Sequence, residues 1–287
     1  MSGAKAITLL DGGLSSALEE LGSVLDTSLW SGELLRTNRT QIRAAHQSFV
    51  EAGAQILITS SYQITYPGCA ARGWSADEIT DALRASTELA RFSGIKVAAS
   101  VGPYGAYLAD GSEYRGNYGL TIDELKDFHR ERLQVLIHTN PDFLAIETIP
   151  EITEARAILE LLNEAHSEIP FWLSFSCRSE NEISSGELFS DAAALLASAP
   201  FCIGVGINCT APAFIAPLMS SVKTETCFVI YPNAGREWNA LTKTWLGDQS
   251  SAFTTSQVDQ WISLGAVIIG GCCGVGPADI DQIKNLI

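Results

Sequence analysis

Two adjacent cysteines near the end of the chain, Cys272 and Cys273, have the type and spacing that metal or thiol chemistry requires. They lie in the run 270–277, Gly-Gly-Cys-Cys-Gly-Val-Gly-Pro, between a short apolar segment at 266–269 and a predicted final helix. Neighbouring side chains of an extended strand point to opposite faces, so two adjacent thiols can serve one site only where the backbone turns. The flanking glycines permit that turn, because they reach positive φ without a Cβ clash. We therefore predict that both thiols are presented at a strand end.

The elements that would position these thiols alternate regularly along the chain. Eight apolar runs predict strands, and a helical pattern follows each of them. Such near-continuous apolar strands are typical of a parallel sheet covered by helices. Eight strand–helix units within 287 residues match a (β/α)8 TIM barrel, and we predict an α/β fold with a single domain over residues 1–287. A doubly wound open sheet is the alternative, which the regular repeats disfavour. The predicted strands cover residues 7–10, 55–59, 96–100, 142–146, 171–175, 202–207, 227–230 and 266–269.

The residues at the ends of these strands are the candidates for a functional site, since barrels of this kind build their active sites there. Three of them are thiols, Cys209 from the sixth strand and the pair Cys272 and Cys273 from the eighth. If the barrel forms, we expect these three thiols to converge above it. The strand-end residues with polar or reactive side chains are Asp11, Ser60, Glu147, Cys177, Asn208, Cys209, Tyr231, Asn233, Cys272 and Cys273.

Three thiolates suit a soft or borderline metal, and a catalytic zinc site typically has three protein ligands and one open position. No histidine is predicted near the strand ends, because all four lie within or at the ends of predicted helices. That distribution also argues against Ser-His-Asp and Cys-His catalysis. An open coordination position that takes a substrate thiol is the sharpest hypothesis, because metal binding deprotonates such a thiol.

Other interpretations of the same residues stay open. A buried cysteine often packs as a small hydrophobe, and a vicinal pair also suits redox chemistry. Asp11 and Glu147 could cap helices or form salt bridges instead of serving a site. The Gly274–Gly276 loop could cradle a phosphate, although cysteines crowd that position. Two alternative functions follow: a barrel hydrolase or lyase that activates water on a Cys-bound metal, or a metal-binding or redox module without catalysis.

The composition restricts the partners and the compartment. The formal net charge of −15 argues against a nucleic-acid partner, because phosphate binding needs clustered Lys and Arg. No apolar run approaches the roughly 18 residues of a membrane span, and the N-terminal residues show no signal-peptide pattern. Seven cysteines, an odd number, predict reduced thiols and a cytoplasmic location rather than a disulfide framework.

Three short motifs together resemble the homocysteine S-methyltransferase family. They are Asp-Gly-Gly at 11–13, Gly-Ile-Asn-Cys at 206–209 and Gly-Gly-Cys-Cys-Gly at 270–274, each at a strand end. The likeness runs over essentially the whole chain. The segments 100–106 and 147–150, with Tyr-Pro-Asn at 231–233, are similar to the branch of the family that uses sulfonium donors.

The resemblance implies a zinc-dependent transfer of a methyl group from S-methylmethionine, or less often S-adenosylmethionine, to the thiol of homocysteine, forming methionine. It implies that Cys209, Cys272 and Cys273 hold the Zn2+ ion and that the homocysteine sulfur is the fourth ligand. It also implies that acidic residues and backbone near strands one and four bind the amino-acid part of homocysteine. We expect the substrate-binding residues to be Asp11, Gly12, Ser60, Glu147, Asn208 and Tyr231. Aromatic faces near the mouth, those of Tyr62, Tyr104 or Tyr231, could hold the sulfonium by cation–π contact.

Overall fold

The computed structural model describes residues 6–25, 27–222, 227–234, 237–239, 244–246 and 253–287, with the backbone alone for 237–239 and 244–246. Eight strands form one parallel sheet, in which each strand pairs with the next one of the eight along the chain. These strands are β1 (Thr8–Leu9), β2 (Ile56–Ile58), β3 (Lys96–Val101), β4 (Phe143–Ile149), β5 (Phe171–Phe175), β6 (Cys202–Asn208), β7 (Phe228–Tyr231) and β10 (Ala266–Ile269). The short strands β8 (Glu237–Asn239) and β9 (Thr244–Leu246) form a separate antiparallel pair.

The helices lie between the strands. None of those in the described part of the chain combines the length and the apolar character that crossing a membrane requires. They are α1 (Leu14–Glu20), α2 (Leu34–Thr37), α3 (Arg39–Ala52), α4 (Tyr66–Ala70), α5 (Ala76–Leu89), α6 (Tyr104–Leu108), α7 (Ile122–His138), α8 (Ile152–Glu164), α9 (Phe189–Ala194), α10 (Pro212–Ser221), α11 (Thr255–Ser263) and α12 (Pro277–Lys284).

Hydrogen bonds between the first two strands close the sheet on itself. The Gln55 N–H donates to the Leu9 carbonyl at 2.8 Å, and the Asp11 N–H donates to the Ile56 carbonyl at 3.1 Å. Leu10 pairs with Ile56 in a parallel bridge. The predicted (β/α)8 barrel is therefore confirmed, since the sheet of parallel strands returns to its first strand and helices connect the strands.

Four strands, β3, β4, β6 and β7, end later than the sequence predicted, and the extensions of β4, β6 and β7 carry candidate site residues. Strand β4 continues to Ile149, which pairs with Phe175, and β6 continues to Asn208, which pairs with Tyr231. Glu147 and Asn208 therefore belong to the last residues of their strands and do not follow them. Pairing with the neighbouring strands extends them beyond the apolar runs from which the prediction was made.

The apolar core has two layers. The larger layer lies between the strands and the helices, and the smaller one fills the inside of the barrel. Trp172 and Tyr231 are the two largest side chains of the inner layer, and the Trp172 Nε1–H donates to the Tyr231 hydroxyl at 3.1 Å. The buried residues of the inner layer are Leu10, Ile56, Ala98, Ala145, Trp172, Val229, Tyr231 and Ile268.

We predict that shortening Ile56 inside the barrel lowers the free energy of unfolding by about 2–5 kcal/mol, because Ile56→Ala leaves a cavity in a packed interior. The matched control is Val24→Ala, whose side chain is 79% exposed and whose change should stay within about 0.5 kcal/mol. Denaturant-induced unfolding of both variants measures the difference. Equal stabilities for the two variants would contradict the packed barrel interior.

Candidate metal centre and ligand cavity

A cavity of about 850 Å³, counting the part that opens to solvent, lies at the mouth of the barrel. Residues from the C-terminal ends of six strands line it. Those among the predicted site residues are Gly12, Ser60, Glu147, Cys209, Tyr231, Cys272 and Cys273. Asp11 and Asn208 are buried beside these residues but do not line the cavity.

The three predicted cysteines converge at this cavity. Their sulfur atoms all lie within 4.8 Å of one another, and they form a group that could hold a metal ion. The Cys273 Sγ is 3.6 Å from the Cys209 Sγ and 3.9 Å from the Cys272 Sγ. The adjacent thiols of Cys272 and Cys273 thus face one point, as the glycine-flanked turn predicts. The thiol of Cys177, also at a strand end, is buried and does not line the cavity.

Cys209 and Cys272 are joined as a disulfide, with their Cα atoms 5.5 Å apart. The expectation of reduced thiols is therefore wrong for this pair. The reason is the convergence itself, because the ends of β6 and β10 bring the two residues within the Cα separation of a disulfide. Both thiols must be reduced before the pair can contribute two ligands to a metal.

The cysteine loop packs directly against the ends of β7 and β1. The Cys272 N–H donates to the Pro232 carbonyl at 2.8 Å, and the Gly271 N–H donates to the Asp11 carbonyl at 3.0 Å. A Cβ on Gly13 would lie 2.6 Å from the Cys272 carbonyl oxygen, so only glycine allows this approach. Gly274 takes φ of +80°, which turns the chain after the second cysteine.

Two buried carboxyl groups, Asp11 and Glu147, lie at the ends of β1 and β4. Burial raises the pKa of Asp11 well above its usual range, and the negative charge of Glu147 raises it further. The Ile58 N–H donates to one Asp11 oxygen at 2.8 Å, while the other oxygen is buried without a hydrogen-bond partner. An unsatisfied carboxyl oxygen beside a cavity indicates a place for a donor group of a ligand.

Glu147 is held by two hydroxyl groups. The Ser100 Oγ–H donates to the Glu147 Oε1 at 2.5 Å, and the Tyr231 hydroxyl hydrogen-bonds the same carboxylate. Burial raises the pKa of Glu147 to about 7, against the lowering effect of these two hydrogen bonds. The Tyr231 hydroxyl also contacts Ser174 at 2.7 Å, so Tyr231 connects the packed barrel interior to the cavity.

Asn208 positions backbone rather than facing the cavity. Its Oδ1 accepts from the Thr148 N–H at 2.8 Å, and its Nδ2 donates to the Thr148 Oγ1 at 2.8 Å. Thr148 has φ of +61°, which is unusual for a β-branched residue. Cys209, which follows Asn208, has φ of +45°. The Asn208 amide thus fixes a strained strand end, and such strain is concentrated at functional sites.

Ser60 lines the cavity, and its buried hydroxyl has no hydrogen-bond partner. Tyr62 also lines the cavity and hydrogen-bonds Thr148. Tyr104 does not line it, because its ring packs edge-on against Tyr118 and Phe128. Two of the three tyrosines considered for the sulfonium, Tyr62 and Tyr231, therefore lie at the cavity.

The strand-end analysis missed several cavity residues, of which two, Glu113 and Tyr114, have polar side chains from a distant loop. They lie in a 3₁₀ turn, Ser112–Tyr114, within the long loop between β3 and α7. The Gly- and Tyr-rich composition of that loop was the only signal, and it does not specify which residues point inward. The histidines are absent from the described lining of the cavity, as predicted.

Comparison with known proteins agrees with this geometry. The family model described as homocysteine S-methyltransferase matches residues 8–287. The maize protein named Homocysteine S-methyltransferase 1 is 39% identical to this chain, over 97% of this chain and 94% of its own length.

Solved structures of the Escherichia coli homocysteine methyltransferase MmuM are similar over nearly the same length. The metallated form has a TM-score of 0.85 and 38% sequence identity, covering 97% of this chain and 96% of that one. The oxidized form has a TM-score of 0.87 and 38% identity, covering 97% and 95%. The match is full-length in sequence and in fold, and this chain therefore belongs to the homocysteine S-methyltransferase family.

Proposed function

We propose that this protein transfers a methyl group from a sulfonium donor, S-methylmethionine or S-adenosylmethionine, to the thiol of homocysteine, forming methionine. The observation that carries the proposal is the convergence of three cysteine sulfurs with the buried carboxyl group of Glu147 in one cavity. Membership of the family supports it, and we propose that the whole barrel acts as one homocysteine-binding domain.

We propose that the metal is Zn2+ and that the reduced thiols of Cys209, Cys272 and Cys273 hold it. Tetrahedral zinc–sulfur bonds of about 2.3 Å place two sulfurs about 3.8 Å apart. The distances from Cys273 to the other two sulfurs, 3.6 and 3.9 Å, fit that spacing, whereas the bonded sulfurs of Cys209 and Cys272 are closer than it and must separate on reduction. Such an ion supplies an open fourth position at which a substrate thiol loses its proton near neutral pH.

The amino-acid end of homocysteine is assigned to the carboxyl groups of Asp11 and Glu147. An ammonium group bound to Glu147, which lines the cavity, would favour the ionised form of Glu147 and of Asp11 buried beside it, because an opposite charge nearby lowers a carboxyl pKa. The backbone of Gly12 and the hydroxyl of Ser60 line the same cavity and can bind the substrate carboxylate. Asn208 and Tyr231 act by holding Thr148 and Glu147 in place.

The methyl transfer itself needs little acid–base help from the chain. The homocysteine sulfur attacks the methyl carbon, and the donor S–CH3 bond breaks with its electron pair returning to the donor sulfur. The donor leaves as a neutral thioether, so no protonation of the leaving group is needed. The cavity walls then act mainly by positioning, which can supply a large share of the reduction in the barrier.

Reduced ligands require a reducing compartment, and we propose a cytoplasmic location on that ground. Cytosolic glutathione and thioredoxin keep thiols reduced, whereas oxidising compartments preserve disulfides. The Cys209–Cys272 disulfide would then be an inactive state of the site.

We predict that the reduced protein forms methionine from homocysteine when S-methylmethionine or S-adenosylmethionine is supplied. Product formation is measured by chromatography, and omission of each substrate is the control. Betaine, a quaternary ammonium donor, tests whether the donor must be a sulfonium. Failure of every donor with metal-loaded protein would contradict the proposed reaction.

We predict that Cys273→Ser lowers the metal content of protein purified under reducing conditions from about one zinc ion per chain to a small fraction of that value, because three thiolates make the site. Cys273 is the free thiol of the group, so the change leaves the other two cysteines intact. Cys202→Ser, at the start of β6, is the matched control and should keep its metal. Equal metal content in the two variants, measured by mass spectrometry, would rule out the assigned ligands.

We predict that Glu147→Gln weakens homocysteine binding but gains stability relative to the wild type as pH rises. The pKa of Glu147 in the folded protein is raised from 4.5 to about 7, so its burial costs stability as pH rises from about 4.5 to 7. The variant lacks that cost, and it also removes the negative charge that raises the pKa of Asp11. Its free energy of unfolding should therefore rise relative to that of the wild type by roughly 3 kcal/mol between pH 4.5 and 7.

Urea unfolding of the ligand-free wild type and variant at several pH values between 4 and 8 measures this gain. The loss of two hydrogen bonds lowers the stability of the variant by an amount that does not depend on pH, so the slope of the difference against pH carries the information. A difference that does not change with pH would contradict an ionisable Glu147 with a raised pKa.

A further inference from the structure

Glu113 is a third buried carboxyl group at the cavity, and the proposed reaction has not used it. Its residue is 7% exposed, and it lines the cavity together with Tyr62 and Tyr114. Its Oε2 is buried and has no hydrogen-bond partner. Burial raises the pKa of Glu113 to about 7, although its own backbone N–H lowers it. A buried carboxyl with an unpartnered oxygen indicates a missing cationic or donor group.

The loop that carries Glu113 is fixed by contacts on both sides. The Ser176 Oγ–H, at the end of β5, donates to the Glu113 carbonyl at 2.9 Å. A Cβ on Gly105 would lie 2.4 Å from the Glu113 nitrogen, so α6 and the turn pack as closely as glycine allows. The Gly105 N–H donates to the Tyr118 hydroxyl at 2.9 Å. The position of Glu113 is therefore set by packing rather than by an ion pair.

Among the described residues that line the cavity, none supplies a positive charge to this carboxyl group, since there is no lysine, arginine or histidine. The nearest cation along the chain, Arg115, contacts Asp110 and Ser112 with its side chain and is largely exposed. The charges of Arg115 and Asp110 have opposite effects on the Glu113 pKa, so neither compensates its burial.

Glu113 reaches the cavity from the loop after β3, whereas Asp11 and Glu147 lie at the ends of β1 and β4. Glu113 lines the cavity together with Tyr62 and Tyr114. Its negative charge raises the pKa values of both tyrosines, in addition to the effect of burial, and Glu147 also raises the pKa of Tyr62. Tyr62 and Tyr114 are therefore the aromatic neighbours of Glu113 at the cavity.

A count of the charged groups on the protein and on the substrates indicates which ligand Glu113 binds. Homocysteine carries one ammonium group, for which Asp11 and Glu147 already provide two carboxyl groups. A third buried carboxyl has no cationic partner in homocysteine, so its partner must come from the second substrate. A sulfonium amino acid brings both an ammonium and a sulfonium group, and tyrosine faces suit either cation.

We infer that Glu113 binds the ammonium group of the methyl donor and makes the cavity selective for donors that carry one. The inference rests on the proposed methyl transfer and deepens it by naming the residue that recognises the second substrate. The ammonium charge does not change while the sulfonium loses its methyl group and its charge, so Glu113 acts equally on the bound donor before and during the transfer. Its removal should therefore affect donor binding more than the rate of the chemical step.

The test is steady-state kinetics of Glu113→Gln with homocysteine and S-methylmethionine varied in turn. The donor KM is expected to rise at least about tenfold, because the variant loses a hydrogen bond between two charged groups. The homocysteine KM, the kcat and the zinc content should stay within about threefold of the wild type. Glu51→Gln, which removes one negative charge from the exposed face of α3, is the control and should change none of these values.

Glu113→Asp keeps the charge and should recover part of the lost donor affinity. It also serves as the test variant if Glu113→Gln does not fold, with a smaller rise in the donor KM expected. An unchanged donor KM in a folded, zinc-loaded Glu113→Gln that still forms methionine would overturn the inference and leave the proposed reaction intact. Absence of methionine formation by the wild type would instead overturn the reaction itself.

Discussion

The site depends on one junction, at which the two ends of the barrel sheet meet around Asp11. The Asp11 N–H bonds to β2, its carbonyl accepts from Gly271 in the cysteine loop, and its side chain accepts from the Ile58 N–H. One residue thus closes the barrel, anchors the loop that carries two of the three sulfurs and leaves one carboxyl oxygen unpartnered. Gly12 and Gly13 follow it because the cysteine loop approaches so closely that a Cβ would overlap its carbonyl groups. The contacts that close the barrel are therefore also the contacts that assemble the site.

The sequence predicted those parts of the site that strand position decides. Cys209, Cys272 and Cys273 lie at the ends of apolar runs, and in a parallel barrel such ends must meet at one mouth. Glu113 could not be found in this way, because a packed loop and not a strand brings it inward. The role of Asn208 was also beyond the sequence, since its amide bonds to Thr148, a residue 60 positions earlier in the chain. Periodicity describes the strands, but the side-chain contacts between loops depend on the completed fold.

The cavity concentrates negative charge that the protein itself does not neutralise. Asp11, Glu113 and Glu147 are all buried with raised pKa values, and in each case burial is the main cause. Such groups destabilise the folded chain at neutral pH unless a ligand supplies positive charge. The arrangement therefore favours binding of cations over stability of the free protein, which is the usual compromise at a preorganised site.

The inner layer of the barrel explains how these charges keep fixed positions so close to an apolar interior. Trp172 and Ser174 contact the Tyr231 hydroxyl, and Tyr231 in turn bonds Glu147, which also accepts from Ser100. This chain of hydrogen bonds leads from the packed floor of the barrel to the cavity. Each group in it has a partner, so the Glu147 carboxyl has little freedom to rotate. The rigidity of the floor is thereby transmitted to the substrate site, whereas Glu113 takes its position from the loop above. One carboxyl is set by the barrel and the other by the loop, and this difference in support matches the two substrates assigned to them.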